Sequence, residues 1–218
     1  MNLHLDILAS AQRRLWDELG AVPPHFVLYG GTAIALQLGH RQSVDFDFFT
    51  AQSLSPNVLF ASMPCLRGAE TVRQAPNTLT CRVDRGGPVL VSFLGTPTTR
   101  QVQSPYRDPL SGVRIASLLD LAGTKASVVQ QRAEAKDYID LDALMGAGIS
   151  LTQALSAASS IFGSRFQALS TLKALSYYGD GDLPTLSDPV RVRLAAAVRS
   201  VEPDRIPALQ TAATEIGV

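Results

Sequence analysis

Residues 26–49 read FVLYGGTAIALQLGHRQSVDFDFF, and this stretch determines the fold class. Residues 26–30 are largely apolar and lie between a proline pair and a glycine, which predicts a short buried strand. The glycine pair then opens a run of good helix formers that ends at Gly39. From 43 to 49, polar and apolar residues alternate as on a strand with one buried face. The stretch therefore predicts a strand, a helix and a second strand in succession.

The same stretch brings together residue types that bind phosphate and metal. Gly30 and Gly31 allow a ligand to approach the backbone closely, and the N–H groups of a helix start form an anion site. Asp45 and Asp47 lie two positions apart on the strand, so their carboxylates project from one face, about 6.6–7 Å apart at the backbone. Mg²⁺ usually binds one or two carboxylates together with substrate phosphates. An acidic strand face is commonly just solvated, but two like charges on one short strand repel each other when no cation is present.

The remaining sequence divides into a mixed part and a helical part. We predict a helix from the N-terminus to the proline pair at 23–24, with Gln12 outside its apolar stripe. Three further strands are predicted, with a glycine turn between the last two, and six helices follow Gly112. The predicted strands are 68–74, 78–84 and 88–94, and the predicted helices are 116–132, 135–147, 150–162, 165–177, 190–201 and 204–215.

These elements predict an α/β (α+β) protein: an α/β core over residues 1–112 with a mixed β-sheet, and a helical C-terminal region over 113–218.

The composition excludes several functional classes. The 218 residues are 46% hydrophobic and 17% charged, and 19 basic residues balance 19 acidic ones. A zero net charge is not that of a nucleic-acid coat protein or a polybasic membrane binder. Cys65 and Cys81 match neither a disulfide framework nor a zinc knuckle. The absence of a signal peptide and of a long apolar run predicts a cytoplasmic protein with no membrane contact.

Two motifs carry a resemblance to a known family. GGTAIALQLGHRQSVDFDFF at 30–49 and KASVVQQRAEAKDYIDL at 125–141 resemble the AbiEii/AbiGii toxin group, a nucleotidyltransferase-like family of abortive-infection and toxin–antitoxin systems. The group belongs to the DNA polymerase β-like nucleotidyltransferase superfamily. The resemblance covers roughly residues 26–145 and implies a minimal nucleotidyltransferase core.

The resemblance implies a Mg²⁺-dependent transfer of a nucleotide from a nucleoside triphosphate to RNA, protein or a small acceptor, with Mn²⁺ as a substitute metal. Gly30, Gly31 and Thr32 would bind the β,γ-phosphates. Asp45 and Asp47 would be the catalytic residues and the metal ligands. An antitoxin protein is the implied partner.

A second group of candidate residues lies in the helical region. Lys125 and Arg132 are two helical turns apart, and Lys136 shares their side if the helix continues. This basic stripe would bind the triphosphate, and the resemblance makes Lys125 the strongest candidate for a phosphate contact. The alternative is a solvated helix face with ion pairs such as Lys136 to Asp140.

Three other residues join these candidates. Asp137 and Asp140 are three positions apart and face the same side of a helix, where the resemblance makes them supporting residues for substrate binding. Arg41, just after the first motif, is a further candidate for substrate binding.

The sequence departs from the superfamily pattern at the third catalytic carboxylate. The expected strand, PVLVSFLG at 88–95, presents Leu90, Ser92 and Leu94 on one face and no acid. Ser92 is a weak Mg²⁺ ligand and cannot act as a base, and Asp84 lies before the preceding turn. The alternative to an enzyme is therefore a non-catalytic nucleotide- or RNA-binding module that has lost the third carboxylate, or an interaction protein that retains only the fold.

Overall fold

The computed structural model describes residues 2–207, 209 and 214–216. The chain divides into two compact units: the first contains Met1–Thr99, Ser104–Ser117 and Thr214–Val218, and the second contains Arg100–Gln103 and Leu118–Ala213. The first unit mixes strands and helices, and the second is mainly helical.

Strands occur mostly in the first unit. In the described residues they are β1 (Val27–Tyr29), β2 (Asp45–Thr50), β3 (Glu70–Ala75), β4 (Thr78–Asp84), β5 (Pro88–Gly95), β6 (Arg100–Gln101), β7 (Tyr106–Arg107), β8 (Arg114–Ile115) and β9 (Thr214–Glu215). Seven of them form a mixed sheet in the order β3-β4-β5-β2-β1-β8-β7. Because β8 pairs in parallel with β1, residues 113–117 belong to the first unit, although the sequence-based division assigned them to the helical region.

The helices of the described residues are α1 (Ser10–Trp16), α2 (Gly30–Leu38), α3 (Pro56–Ser62), α4 (Leu118–Val128), α5 (Ala135–Gly146), α6 (Leu151–Phe162), α7 (Ala168–Ala174) and α8 (Asp188–Ser200). The second unit contains α4 to α8, at the positions predicted for five of the six C-terminal helices. The sixth, predicted over 204–215, is wrong where the structure describes it: Pro203–Arg205 is a 3₁₀ turn and Thr214–Glu215 is strand β9, while residues 208 and 210–213 lie outside the described residues. None of the helices in the described part of the chain has the length and apolar character needed to cross a bilayer.

The register of β2 determines which side chains point to the core. Phe46 and Phe48 are fully buried, and Phe48 stacks on Phe93 of β5 at 5.5 Å between ring centroids. Residues 45, 47 and 49 on the opposite face are only half-buried. Because burial of one large apolar side chain contributes about 1.5–3 kcal/mol, the phenylalanines hold the strand with its acidic face outward.

The N-terminal segment differs from the prediction of one continuous helix. It contains a 3₁₀ turn at Leu5–Ile7, then α1, then a second 3₁₀ turn at Leu19–Ala21. The backbone N–H of His4 donates to Leu36 O at the end of α2, which fixes the segment before α1. The Gln12 side-chain oxygen accepts from Ala9 N and starts a new helix there. These tertiary and capping bonds replace the helical bonds that a continuous helix would need.

Close packing of α4 on α6 requires a glycine. A Cβ added at Gly123 would lie 2.9 Å from the Cβ of Ala157, from the backbone nitrogen of Ala158 and from Cδ1 of Ile161. The backbone nitrogen cannot move without displacing α6. The second unit therefore depends on a contact that excludes even a methyl group.

We expect Gly123→Ala to lower the free energy of unfolding by about 1–3 kcal/mol, because the added methyl group overpacks this contact. Gly146→Ala is the matched control, since a Cβ added at the last residue of α5 meets nothing within 4 Å. It should be neutral or stabilising by up to about 1 kcal/mol. Urea unfolding followed by circular dichroism measures both, and equal stabilities of the two variants would contradict the packing argument.

Candidate functional site

The turn from β1 into α2 brings a carboxylate against a glycine. Tyr29 pairs with Asp47 across the antiparallel β1–β2 ladder, so the next residue, Gly30, lies beside the Asp47 side chain. Gly30 has a φ of 75°, and a Cβ there would be 2.8 Å from Oδ2 of Asp47. Both the left-handed backbone and the carboxylate therefore require glycine at this position.

Gly31 is constrained by a different charged group. A Cβ at Gly31 would collide with Nη2 of Arg41 and would lie 2.9 Å from Oγ of Ser43. Arg41 also donates from Nη1 to Gln42 O at 2.7 Å. The first turn of α2 is thus flanked by a carboxylate at one glycine and by a guanidinium at the next.

The acidic strand is tied to the same helix start. Thr32 is buried, and its Oγ1 donates to the backbone oxygen of Asp45. Asp45 and Asp47 are both half-buried on one face of β2. The structure therefore brings the glycine pair, Thr32, Arg41 and the two aspartates together.

The neighbouring strand offers a hydroxyl where a third carboxylate was expected. β5 runs parallel to β2, and its Ser92 is in register with Asp47. Thr80 of β4 donates from Oγ1 to Oγ of Ser92 at 3.3 Å. Asp84 uses its Oδ1 to accept from the N–H groups of Gly86 and Gly87 in the β4–β5 turn. Within the described residues, no group of three or more His, Cys, Asp or Glu side chains is arranged to hold a metal ion.

The second unit holds a buried cluster of charges. Nζ of Lys125 on α4 lies 2.6 Å from Oδ1 of Asp137 and 2.6 Å from Oδ2 of Asp140, both on α5. The two aspartate side chains are fully buried and that of Lys125 is 7% exposed. Arg132 adds a bond from Nε to Oδ2 of Asp137 at 2.7 Å. The positive charges of the two cations and the negative charges of the two carboxylates therefore cancel in this cluster.

The prediction of a basic stripe along one helix is wrong. α4 ends at Val128 and α5 begins at Ala135, so Arg132 lies in the connection and Lys136 lies on the next helix. Lys136 bonds Glu134 at 2.8 Å, and its side chain is about half exposed. The spacing of 7 and 11 residues places side chains on one face only when the helix is continuous.

Burial and charge act in opposite directions on Asp137. Burial raises the pKa of this carboxyl, but the hydrogen bonds from Arg132 and the charge of Lys125 outweigh burial, so the pKa lies below its ordinary value. Asp137 is therefore ionised at neutral pH and contributes its full charge to the cluster.

Sequence reasoning missed Gln12 as a support of the site. Gln12 was expected outside the apolar stripe, but it is 2% exposed and donates from Nε2 to Ser43 O at 2.9 Å. It therefore fixes the loop that carries Arg41 and precedes Asp45. The sequence offered no signal for this role, because the helical pattern places Gln12 outside the apolar stripe and only the structure shows that it is buried and hydrogen-bonded.

Sequence comparisons match the chain to a protein family and to a relative. The profile of the family described as "Nucleotidyl transferase AbiEii toxin, Type IV TA system" matches residues 14–215. Uncharacterized protein aq_aa25 of Aquifex aeolicus (strain VF5) is 33% identical over 126 residues, which are 55% of this chain and 57% of that protein. The chain thus matches somewhat more than half the length of this relative.

Two solved structures share the fold. A candidate nucleotidyltransferase from H. pylori superposes with a TM-score of 0.52 at 18% identity, over 86% of this chain and 90% of the other. MenT4, a nucleotidyltransferase toxin from Mycobacterium tuberculosis, superposes with a TM-score of 0.54 at 17% identity, over 88% of this chain and 83% of the other. The mixed sheet with its helical region is therefore the fold of these neighbours.

We expect Lys125→Met to lower the free energy of unfolding at pH 7 by about 3–5 kcal/mol, because it leaves two buried carboxylates without their shared ammonium. Lys136→Met is the matched control, since an exposed ion pair contributes about 0.2–1 kcal/mol. Urea unfolding of both variants provides the comparison. A loss in Lys125→Met no larger than in Lys136→Met would contradict the charge balance described above.

The pH dependence tests the same cluster. Because the pKa of Asp137 is lowered by folding, this residue contributes to the free energy of unfolding. The contribution is complete above the pKa of an aspartate in the unfolded chain, about 3.9, and is lost as the pH falls through the lower pKa of the folded state. In Lys125→Met, Asp137 takes up its proton at a higher pH than in the wild type, because the charge of Lys125 no longer lowers its pKa. The stability difference between the two proteins should therefore be largest near neutrality and should narrow as the pH approaches about 4.

Proposed function

The chain belongs to the AbiEii nucleotidyl transferase toxin family, and from this premise we propose that it transfers a nucleotide from a nucleoside triphosphate to an acceptor hydroxyl. The acceptor is an RNA, a protein or a small molecule. We further propose that it acts in the cytoplasm as the toxin of a toxin–antitoxin pair, with an antitoxin as its partner.

One observation carries the proposal: Oδ2 of Asp47 lies against the glycine that begins α2. A helix start offers backbone N–H donors and a partial positive charge, which bind phosphate oxygens. A carboxylate pair at the same position repels phosphate unless a cation lies between them. The arrangement therefore supports a ligand that contains both phosphate and a divalent metal, as a metal-bound nucleoside triphosphate does.

The donor set suits Mg²⁺. Asp45 and Asp47 supply hard carboxylate oxygens from one half-buried strand face. Mg²⁺ is usually bound through one or two carboxylates, and phosphate oxygens and water supply its other ligands. When bound, the ion would neutralise phosphate charge and lower the pKa of an attacking hydroxyl. We propose Asp45 and Asp47 as its ligands and as the catalytic residues, with Mn²⁺ as a substitute metal.

The chain's own residues bind and orient the substrate. The N–H groups of the first turn of α2, including Gly31 and Thr32, would bind the β- and γ-phosphates. The acceptor oxygen forms a bond to the α-phosphorus while the bond from that phosphorus to the bridging oxygen breaks. Pyrophosphate leaves with the electron pair of that bond, and the hydroxyl proton passes to solvent.

The substrate-binding assignment of the second-unit residues stays a prediction. The ammonium of Lys125 is already neutralised by two carboxylates, and its side chain is nearly buried. Arg132 and Lys136 have side chains about half exposed, which leaves them the more accessible cations for a phosphate. Asp137 and Asp140 would then support binding indirectly by positioning Lys125 and Arg132.

We expect Asp47→Asn to reduce nucleotide transfer by roughly 100-fold or more, because the neutral amide binds Mg²⁺ more weakly than the carboxylate, and that cation would stabilise the reacting phosphates. The assay incubates the protein with labelled nucleoside triphosphates, Mg²⁺ or Mn²⁺, and total RNA or a protein extract. Asp84→Asn is the matched control, because its Oδ1 can still accept from the turn N–H groups. Transfer that persists unchanged in Asp47→Asn would contradict the proposal.

Ser92 favours a second candidate function, a module that binds nucleotide or RNA without chemistry. The position in register with Asp47 carries a hydroxyl that is hydrogen-bonded to Thr80 and has no charge. If this candidate is correct, calorimetry detects nucleotide binding by the wild type while the labelling assay detects no transfer. Ser92→Asp should then confer transfer, whereas a transferring wild type excludes the module.

A further inference from the structure

A cavity in the first unit shares no lining residue with the candidate site. Its volume is about 450 Å³, which lies in the range of small-ligand sites. The segment before α1, the end of α1 and the loop between β7 and β8 form its walls. Both apolar and charged side chains contribute, among them Leu3, Leu5, Trp16, Asp17, Asp108 and Leu110.

Asp108 contributes a carboxylate that is only partly hydrogen-bonded. The residue is 6% exposed, and its Oδ2 accepts from N and Oγ of Ser111 at 2.8 and 2.6 Å. Among the hydrogen bonds of the described residues, none uses Oδ1 of Asp108. A buried carboxylate oxygen without a donor is unfavourable, because burial removes most of its water. A donor inside the cavity would complete the bonding of this carboxylate.

The loop that carries Asp108 is held in place by its own backbone and by the segment after α1. Asp108 N donates to Val113 O at 2.9 Å, and Gly112 N donates to Asp108 O at 2.8 Å. A Cβ added at Gly20 would collide with the backbone oxygen of Ser111, so the loop packs closely there. The carboxylate is therefore preorganised, which lowers the entropy lost when a ligand binds.

The charged side chains of the described lining sum to one negative charge. Nη1 of Arg13 lies 2.6 Å from Oδ1 of Asp17, so these two residues neutralise each other. Asp108 is the remaining charged residue. The lining therefore favours a ligand that carries a single positive charge.

The bonding of Asp108 also distinguishes two kinds of cation. A guanidinium binds a carboxylate best through two parallel hydrogen bonds, which need both oxygens. Oδ2 already accepts two hydrogen bonds from Ser111, so one oxygen is left. An ammonium is a compact charge that needs only one oxygen. The geometry therefore favours an ammonium over a guanidinium.

We propose that this cavity binds the ammonium group of a lysine side chain from a protein partner. The ammonium donates to Oδ1 of Asp108, and the apolar stem of the lysine packs on Leu3, Leu5 and Leu110. Leu110 is 90% exposed, so it offers apolar surface to a partner. A free diamine carries two positive charges, which exceed the charge of the lining, so the charge balance favours a side chain.

Trp16 gives the test a local reporter, because it lines the cavity and is the single tryptophan of the chain. Blocked tripeptides with a central lysine, arginine or norleucine, and the diamine cadaverine, are titrated into the full chain. The indole N–H signal of Trp16 is followed by NMR.

Two variants of the chain complete the test. Asp108→Asn removes the charge and keeps an oxygen for Ser111. Asp84→Asn is the matched control, because Asp84 also accepts from N–H groups of a turn and lies outside the cavity. Thermal unfolding by circular dichroism verifies that both variants are folded.

We expect the lysine peptide to shift the Trp16 signal saturably and to bind roughly ten-fold or more tightly than the norleucine peptide, the usual effect of a hydrogen bond to a charged group. The arginine peptide should fall between them. Asp108→Asn should lose the preference for lysine, and Asp84→Asn should keep it.

Three outcomes overturn the proposal, and each is measured on the wild type, so none depends on the folding of a variant. The first is equal binding of the lysine and norleucine peptides, or no saturable shift with the lysine peptide. The second is an arginine peptide that binds as tightly as the lysine peptide, which excludes the preference for an ammonium. The third is cadaverine binding more tightly than the lysine peptide, which assigns the cavity to a free diamine.

Discussion

The pairing of Tyr29 with Asp47 is the constraint on which the site depends. It places the carboxylate beside the residue that begins α2, and it is maintained by apolar burial on the other face of β2. Phe46 and Phe48 are fully buried there, and Phe48 stacks on Phe93. A slip of one residue would expose both phenylalanines and turn the aspartates into the core. The hydrophobic effect thus fixes the position of two charges that contribute nothing to the core.

Each unit contains a pair of carboxylates, and the two pairs differ in burial and in their partners. Asp45 and Asp47 are half-buried beside the start of α2. Asp137 and Asp140 are fully buried, and one ammonium contacts both. Buried ion pairs seldom stabilise a protein more than apolar residues of the same volume, because desolvation offsets the attraction. Stability alone therefore does not explain why charges occupy this part of the second unit, which contains the second motif of the family resemblance.

Local signals predicted the elements and missed the long-range bonds. The helix from Gly30 to Gly39 and the alternating strand after it followed from glycine conformation and from a period of two. The split of the N-terminal helix depends on His4 bonding Leu36, and no local pattern encodes that bond. The basic stripe failed because α4 ends at Val128, where neither glycine nor proline marks a break.

At the candidate site, the sequence predicted which residues lie together but not what each of them contacts. The glycine pair was interpreted as one phosphate-binding turn. The structure gives each glycine its own neighbour: Gly30 has a positive φ and lies against the Asp47 carboxylate, and Gly31 lies against the Arg41 guanidinium. Such contacts join residues that are 10 to 17 positions apart, so they follow from the fold and not from local propensity.

The charges around the candidate site indicate how a serine at position 92 differs in effect from a carboxylate there. A nucleoside triphosphate is strongly anionic, so each carboxylate near its phosphates adds repulsion that cations must offset. With a hydroxyl in register with Asp47, the strand pair presents two negative charges instead of three, opposed by the helix start and Arg41. Substituting Ser for a carboxylate therefore favours binding of the triphosphate while it removes the nearest candidate base. Under the proposed function, affinity for the nucleotide and deprotonation of the acceptor would be set at the same strand position in opposite directions, and Ser92 is the residue that favours affinity.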